Sequence, residues 1–523
     1  MSFTSFHFFL FLIVGVIVYY IIPKKVQWVW LLILSYYYYF TYSFKTVVLL
    51  LFTTVVTYSC GIALEKINEE KPDEGDLGED KKLFKKRIAH KKKCVVVWAL
   101  VLCFGILAGV KYTNFAIKNI NSVIGLFKGT GRISLLTITL PLGISFYTFQ
   151  SISYVIDVYR AKVKAQRNFF KYSLFVTFFP QLLQGPIGRY DRLAGQLYEG
   201  HSYNLKNLQL GAQRILWGFF KKMVIADRLT SPVNKVFYNY GNYGGWTNVF
   251  AILMYTVELY ADFSGGIDIV IGVAQMLGIT LDENFRQPYF ARSISEFWRR
   301  WHISLGLWMK DYVFYPFSLS KGMHKFGKWC KKTFGNNVGK LMPVSLGNLL
   351  VFFIVGIWHG AAWKYIVYGM INGVIIAASG MLAPVYESIH KKLHINPKCK
   401  WYQCFMIVRT FIIVNITNFY DIAPELYAAN RMLTECFTKA HISQLSLSTL
   451  TSIGLKQADL IVVLIGCFIL FIVSVLKERG VNIRESVAGK NIVIRWSLYI
   501  GLIMFILLYG STSGTTDFIY ANF

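Results

Sequence analysis

Two histidines stand in stretches otherwise suited to the interior of a lipid bilayer. His302 lies in Glu296-Phe-Trp-Arg-Arg-Trp-His-Ile-Ser-Leu305, and His359 in Gly356-Ile-Trp-His-Gly360. An ionisable side chain in hydrocarbon is costly, which makes each imidazole a functional candidate. Histidine also titrates near neutrality, so it can take a proton from a hydroxyl and return it to a leaving group. His359 ends the apolar run 346–360. It is either such a base or a packed imidazole bonded to a backbone carbonyl. Gly356 and Gly360 share one helical face, as do Gly369 and Gly373, a spacing that lets helix backbones approach closely. His302 follows Trp298, Arg299 and Arg300, and Glu296 reaches both arginines at helical spacing. The pattern predicts an amphipathic helix at the cytosolic interface with Trp anchors. Its two arginines suit a phosphate; the competing reading is a helix that only anchors.

Other polar groups sit in apolar surroundings. Glu258, Asp262 and Asp268 fall in one such segment, around Asp262-Phe-Ser-Gly-Gly-Ile-Asp268, and the two glycines predict a broken helix there. Carboxylates beside a break can orient Arg or His, or bind a cation; a structural polar network is the preferred reading. Gln181 and Gln184, in Phe179-Pro-Gln-Leu-Leu-Gln-Gly-Pro186, and Pro141-Leu-Gly-Ile-Ser-Phe-Tyr-Thr-Phe-Gln150 suit the lining of a cavity or ordinary kinked packing. His390 and His394 have the spacing of a metal pair but lack the glutamate of the metalloprotease motif and sit among lysines, so no metal site is expected. There is no Gly-x-Ser-x-Gly elbow and no P-loop.

These residues must be held by membrane helices. The chain is 55% hydrophobic, 17% aromatic and only 16% charged, and its mean hydropathy of +0.44 is too apolar for a soluble domain. Apolar runs of about 20 residues recur, predicting an all-α polytopic membrane protein rather than a barrel of short alternating strands. Expected spans or re-entrant pieces cover 6–22, 26–42, 44–64, 94–113, 133–158, 169–183, 208–226, 246–279 (a pair or a broken helix), 297–317, 346–382 (a pair), 403–419, 459–476 and 493–509. We expect about eleven full spans plus re-entrant or interfacial helices. Residues 1–523 read as one integral membrane domain. The segment 65–93, acidic and then basic, reads as a mobile cytoplasmic loop. The N-terminus lacks the basic residues of a cleavable signal peptide. The net charge of +28 sits between apolar spans, as the positive-inside rule requires. That points to anionic lipids and an acidic or phosphorylated donor, not to nucleic acid. The eight cysteines are scattered with no Cys-x-x-Cys pair, which argues against a disulfide framework or a zinc site.

Together the blocks 141–160, 178–190, 262–268, 283–315 and 356–360 resemble the membrane-bound O-acyltransferase (MBOAT) family. The likeness is greatest to the bacterial alginate O-acetylation branch and more distant to teichoic-acid D-alanylation. The most specific block is Asn284-Phe-Arg-Gln-Pro-Tyr, Phe297-Trp-Arg-Arg-Trp-His-Ile-Ser-Leu, Trp308 and Asp311-Tyr. The resemblance implies that His359 is the family's essential histidine and His302 its upstream partner. It also implies a many-helix fold around a central cavity in a bacterial plasma membrane. The acyl thioester donor, acetyl-CoA or an acyl carrier protein, then approaches from the cytosol. An extracytoplasmic SGNH-type acyltransferase partner passes the acyl group to a polysaccharide. No bound cofactor is implied. The chain departs from the family pattern at Gly266, where Tyr is usual. It departs again in the lysine-rich stretch 321–340 and in Asn418-Phe-Tyr-Asp-Ile-Ala-Pro424, which lacks the Arg common there. The tail 517–523 has the branch's aromatic character.

The expectation is therefore that His359 acts as general base on an acceptor hydroxyl while His302 orients or polarises the donor carbonyl. Arg299, Arg300, Trp298, Trp358, Asp262, Asp268 and Gln181 are the candidate substrate-binding residues. Two alternatives stay open. One is D-alanyl transfer to teichoic acid from a carrier protein. The other is a non-enzymatic transporter built on Asp262 and Asp268.

Overall fold

A computed structural model describes residues 5–71, 78–127, 131–138, 140–182, 184–511 and 518. Helices make up the ordered elements, and no strand occurs among the described residues. This follows from the solvent: backbone groups in lipid must be bonded within their own segment, which a helix achieves alone. Seven helices among the described residues are long and apolar enough to cross a membrane: Val47–Glu69, Lys81–Leu126, Asn336–His359, Trp363–Met381, Lys400–Ile422, Gln457–Glu478 and Ile492–Tyr509. Phe6–Ile21 is a shorter apolar helix. The protein is thus an all-α polytopic membrane protein, as its hydropathy requires.

Several expected elements resolve differently. The charged segment 65–93 is helical at both ends: Val47–Glu69 covers its start, and the long helix Gly78–Leu126 covers its basic half. Lys, Glu, Leu and Ala are strong helix formers, so charge there does not interrupt the helix. Residues 72–77, within its acidic half, lie outside the described residues. The expected span 133–158 starts only at Ile144, where Gly143 takes the left-handed conformation (φ 66°). Residues 169–183 divide into Phe169–Thr177 and Phe179–Leu182, and Leu183 is not described. The expected break near Gly265 does not occur, because Trp246–Met276 is one continuous helix. Of the aromatic tail, only Phe518 is described.

The chain divides into two compact units. Of the described residues, the first comprises those within 5–211 and 270–282. In it, Gln27 binds the Tyr19 and His201 carbonyls through Nε2 and accepts the His201 N–H through its side-chain oxygen. The buried Tyr154 ring packs at a tilt against Tyr172 on one side and Tyr190 on the other, with Tyr172 bonded to Thr57. The second unit comprises the described residues within 212–269 and 283–518 and contains both candidate histidines.

Within the second unit, Asn336–His359 and Trp363–Met381 form a close pair, and glycine makes this possible. A Cβ on Gly356 would lie 2.5 Å from the Tyr365 carbonyl oxygen, and one on Gly369 would lie 2.2 Å from that of Phe352. The small-residue spacing legible in the sequence thus sets the approach of the helix that carries His359. Gly369→Val is expected to force these backbones apart, at a cost of about 1–3 kcal/mol or more. The measurement is the thermal midpoint of the detergent-solubilised protein; an unchanged midpoint would contradict this packing.

Candidate active site

His359 is the last residue of Asn336–His359, and an extended Gly360 ends the helix after it. The imidazole is 4% exposed. Its Nδ1 lies 3.2 Å from Oδ1 of Asp421, a residue near the C-terminal end of Lys400–Ile422. The other Asp421 oxygen accepts a 2.6 Å hydrogen bond from the Tyr255 hydroxyl. Lys364 donates to the backbone carbonyls of Asp421, at 2.8 Å, and Ala423, at 2.6 Å. It thereby caps the end of the Asp421 helix, where carbonyls have no intrahelical donor and a cation is favoured. The Tyr368 ring lies 5.1 Å and the Tyr365 ring 6.2 Å from the imidazole.

His302 is reached by a different local device. The helix Ile294–Arg300 stops there, Trp301 is extended, and His302 adopts φ 46°, ψ 54° before Ile303–Met309 begins. A positive φ in a non-glycine residue costs energy and persists only where the surroundings fix it. Asn284 supplies that fixation. Its backbone carbonyl accepts the Ile303 N–H. Its side-chain oxygen accepts from the Ser304 N–H and hydroxyl, each at 2.9 Å, and lies 3.3 Å from His302 Nδ1. The amphipathic helix expected to run through His302 is therefore broken at the histidine, which turns the ring inward instead of along an interface.

The two imidazoles share a neighbour. The Trp358 ring is 5.6 Å from that of His302 and 5.3 Å from that of His359. Phe263 packs edge-on against His302 at 5.0 Å, so Trp246–Met276 serves both histidines, with Tyr255 behind one and Phe263 against the other. Burial, with the nearby His359 adding to it, pushes the pKa of His302 down to about 3, which keeps this ring neutral at physiological pH. The unfolded value is about 6.5, so below that pH the unfolded chain binds the proton that the folded chain refuses. This contribution to stability is complete above about pH 6.5 and falls as the pH drops toward the folded value. Acidifying the solubilised protein from pH 7.5 to 5 is thus expected to lower its thermal midpoint more than that of His302→Gln. Parallel pH curves would contradict the assignment.

The other sequence candidates scatter. Trp298 donates to Asn372 at 3.0 Å and packs on Phe352 and Tyr368, one ring removed from His359. Arg299 is exposed. Arg300 is held by Glu296 and by both oxygens of Glu478, which a phosphate would have to displace. Asp262 pairs with Lys222 at 2.6 Å, and Lys222 also meets Asp227 at 2.9 Å. Asp268 lies 2.7 Å from both Arg214 and Lys221. A Cβ on Gly265 would lie 2.9 Å from the Gly218 carbonyl oxygen, so this glycine serves close helix packing rather than a break. Gln181 belongs to the first unit, where its Nε2 donates to the Pro186 carbonyl at 2.9 Å. Among the described residues, no group of three or more His, Cys, Asp or Glu could hold a metal.

Sequence reading missed Asp421, Tyr255, Lys364 and Asn284 as site residues. Lys364 carried a usable signal, being a cation in an apolar helix five residues after His359. Asp421 lies inside the stretch Asn418–Pro424, where nothing in the sequence pairs it with His359. Tyr255 carried none.

Fold and site together define a helical membrane protein with two buried imidazoles around a tryptophan, one of them held by a carboxylate. Residues 161–329 match the family model of MBOAT, membrane-bound O-acyltransferase. The chain is 36% identical over 361 residues to the probable alginate O-acetylase AlgI of Pseudomonas syringae pv. tomato, covering 68% of this chain and 63% of that relative. It is 28% identical over 463 residues to a peptidoglycan O-acetyltransferase of Helicobacter pylori (82% and 78%). It is 30% identical over 281 residues to a teichoic acid D-alanyltransferase of Bacillus subtilis (52% and 66%). The chain belongs to the membrane-bound O-acyltransferase family. It spans somewhat less than two thirds of the length of the alginate relative from P. syringae.

Proposed function

We propose that this protein is a membrane O-acyltransferase. It moves an acyl group, in the first instance acetyl, from a cytosolic thioester to an extracytoplasmic polysaccharide by way of a partner protein. The observation that carries this reading is the buried His359, fixed through Nδ1 on Asp421 and sharing Trp358 with His302. The names of the relatives, two O-acetylating proteins among them, support the acetyl group.

In this mechanism His359 acts through Nε2, because Nδ1 faces the carboxylate. Nε2 takes the proton of the acceptor hydroxyl as its oxygen bonds to the thioester carbonyl carbon. The carbon–sulfur bond breaks and the proton passes to the departing sulfur, leaving ester and thiol. His302, neutral and held at Asn284, orients or polarises the donor carbonyl. Trp358 packs against both imidazoles. Arg299, exposed beside this region, is the remaining arginine for donor phosphates, whether of acetyl-CoA or of an acyl carrier protein.

One observation favours a second reading, D-alanyl transfer from a carrier protein. The helix Lys321–Phe334 leads toward the His359 helix and exposes Lys321, Lys325, Lys328, Lys331 and Lys332, a surface suited to an acidic carrier. Mild alkali releases ester-linked acyl groups and separates the two readings. Envelope and secreted glycans are compared between cells with the native protein and cells with His359→Ala at matched membrane abundance. Loss of acetate supports acetyl transfer, and loss of D-alanine moves the protein to the second reading. No change in either refutes envelope acylation.

A further inference from the structure

We propose that Asp421, steadied by Tyr255 and Lys364, is the positioning residue that holds His359 in the tautomer able to accept a proton. The inference rests on the acyl-transfer reading above and deepens it at the same site.

A neutral imidazole carries one proton, and whichever nitrogen bears it cannot act as a base. Asp421 Oδ1, 3.2 Å from Nδ1, draws that proton to Nδ1 and leaves Nε2 as the basic nitrogen. The carboxylate also stabilises the imidazolium that forms when Nε2 takes the hydroxyl proton. A carboxylate can do this only if it does not swing away, and three contacts prevent that. Tyr255 donates to Oδ2 at 2.6 Å. Lys364 grips the carbonyls of Asp421 and Ala423 and lies 4.4 Å over the Tyr365 ring. Asp421 itself is 3% exposed, so its charge acts in a medium of low dielectric. These groups come from three helices, Trp246–Met276, Trp363–Met381 and Lys400–Ile422.

The test uses native membranes carrying the full chain, with labelled acetyl-CoA as donor and alkali-labile label as readout. Asp421→Asn keeps the volume, but its amide can donate to Nδ1 and trap the opposite tautomer. We expect kcat to fall about 100-fold, toward the loss seen when an orienting acid becomes an amide, while KM for the donor changes less than about twofold. Tyr255→Phe should lower kcat about three- to tenfold, and Asp421→Glu should recover part of the Asn loss. Abundance and thermal midpoint are measured alongside, since a purely structural role would move these and not kcat alone. If Asp421→Asn keeps kcat within about twofold of native while His359→Ala abolishes transfer, the positioning role is wrong and the base stands. If His359→Ala membranes transfer label at the native rate, His359 is not the base and the positioning role falls with it; if native membranes transfer none, it is the acetyl-transfer reading that fails. The same variants are then compared by the acyl ester content of the envelope, with the same criterion for Asp421.

Discussion

His359→Gln, at matched membrane abundance, is expected to lower acyl transfer by about 10²–10⁴-fold, the range for removing a general base. Glutamine preserves polarity and approximate length, so packing against Trp358 and Tyr368 should survive and the protein should remain in the membrane. What is lost is a nitrogen that can accept and return a proton. His302→Gln should be milder. Its ring is neutral and tied to the Asn284 oxygen, which fits a polarising or orienting part better than proton transfer. The comparison is made with initial rates of ester formation in native membranes. Equal rates for native and His359→Gln would remove His359 from the chemistry. A larger loss from His302→Gln than from His359→Gln would exchange the roles of the two histidines.

The second large effect is expected on stability. Asp268 lies between two cations, Arg214 and Lys221, both buried. In Asp268→Asn, Arg214 keeps its two bonds to Glu283, while Lys221 loses the carboxylate it pairs with and retains the Ser264 hydroxyl and the Tyr260 ring. Leaving a buried charge without its counter-ion costs about 3–5 kcal/mol, a large part of what holds a fold together. Asp268→Asn should therefore be scarce in the membrane and unfold at a lower temperature. Asp262→Asn should be milder, because Lys222 retains Asp227 at 2.9 Å. Adding Lys221→Met to Asp268→Asn should recover part of the loss by removing the stranded charge. If both aspartate variants instead accumulate normally and show altered ion flux, the transport alternative gains what this network denies it. The same arrangement explains why carboxylates in an apolar helix need not mark a pathway: their counter-ions sit on the π-helical segment Phe220–Ala226 and on the helix Leu205–Phe219 before it.

Much of this was determined by sequence alone, and the reasons are local. Membrane helices follow from runs of apolar residues, because lipid leaves the backbone no other partner. The close pairing of Asn336–His359 with Trp363–Met381 follows from glycines four apart, since spacing along a helix decides which residues share a face. The two histidines stand out because ionisable groups are rare in such segments.

Tertiary structure decided everything that joins distant residues. Asp421 reaches His359 across 62 positions, and Tyr255 reaches Asp421 across 166; no periodicity encodes such pairs. Arg300 meets Glu478 across 178 positions, a pairing that the charges within its own helix do not indicate. The backbone turn at His302 was likewise invisible, because the bonds that stabilise it come from Asn284, 18 residues earlier. Helical propensity and hydropathy are properties of neighbouring residues. The orientation of a buried imidazole depends on which groups the packing of other helices delivers to it, and that is settled only when the chain is folded.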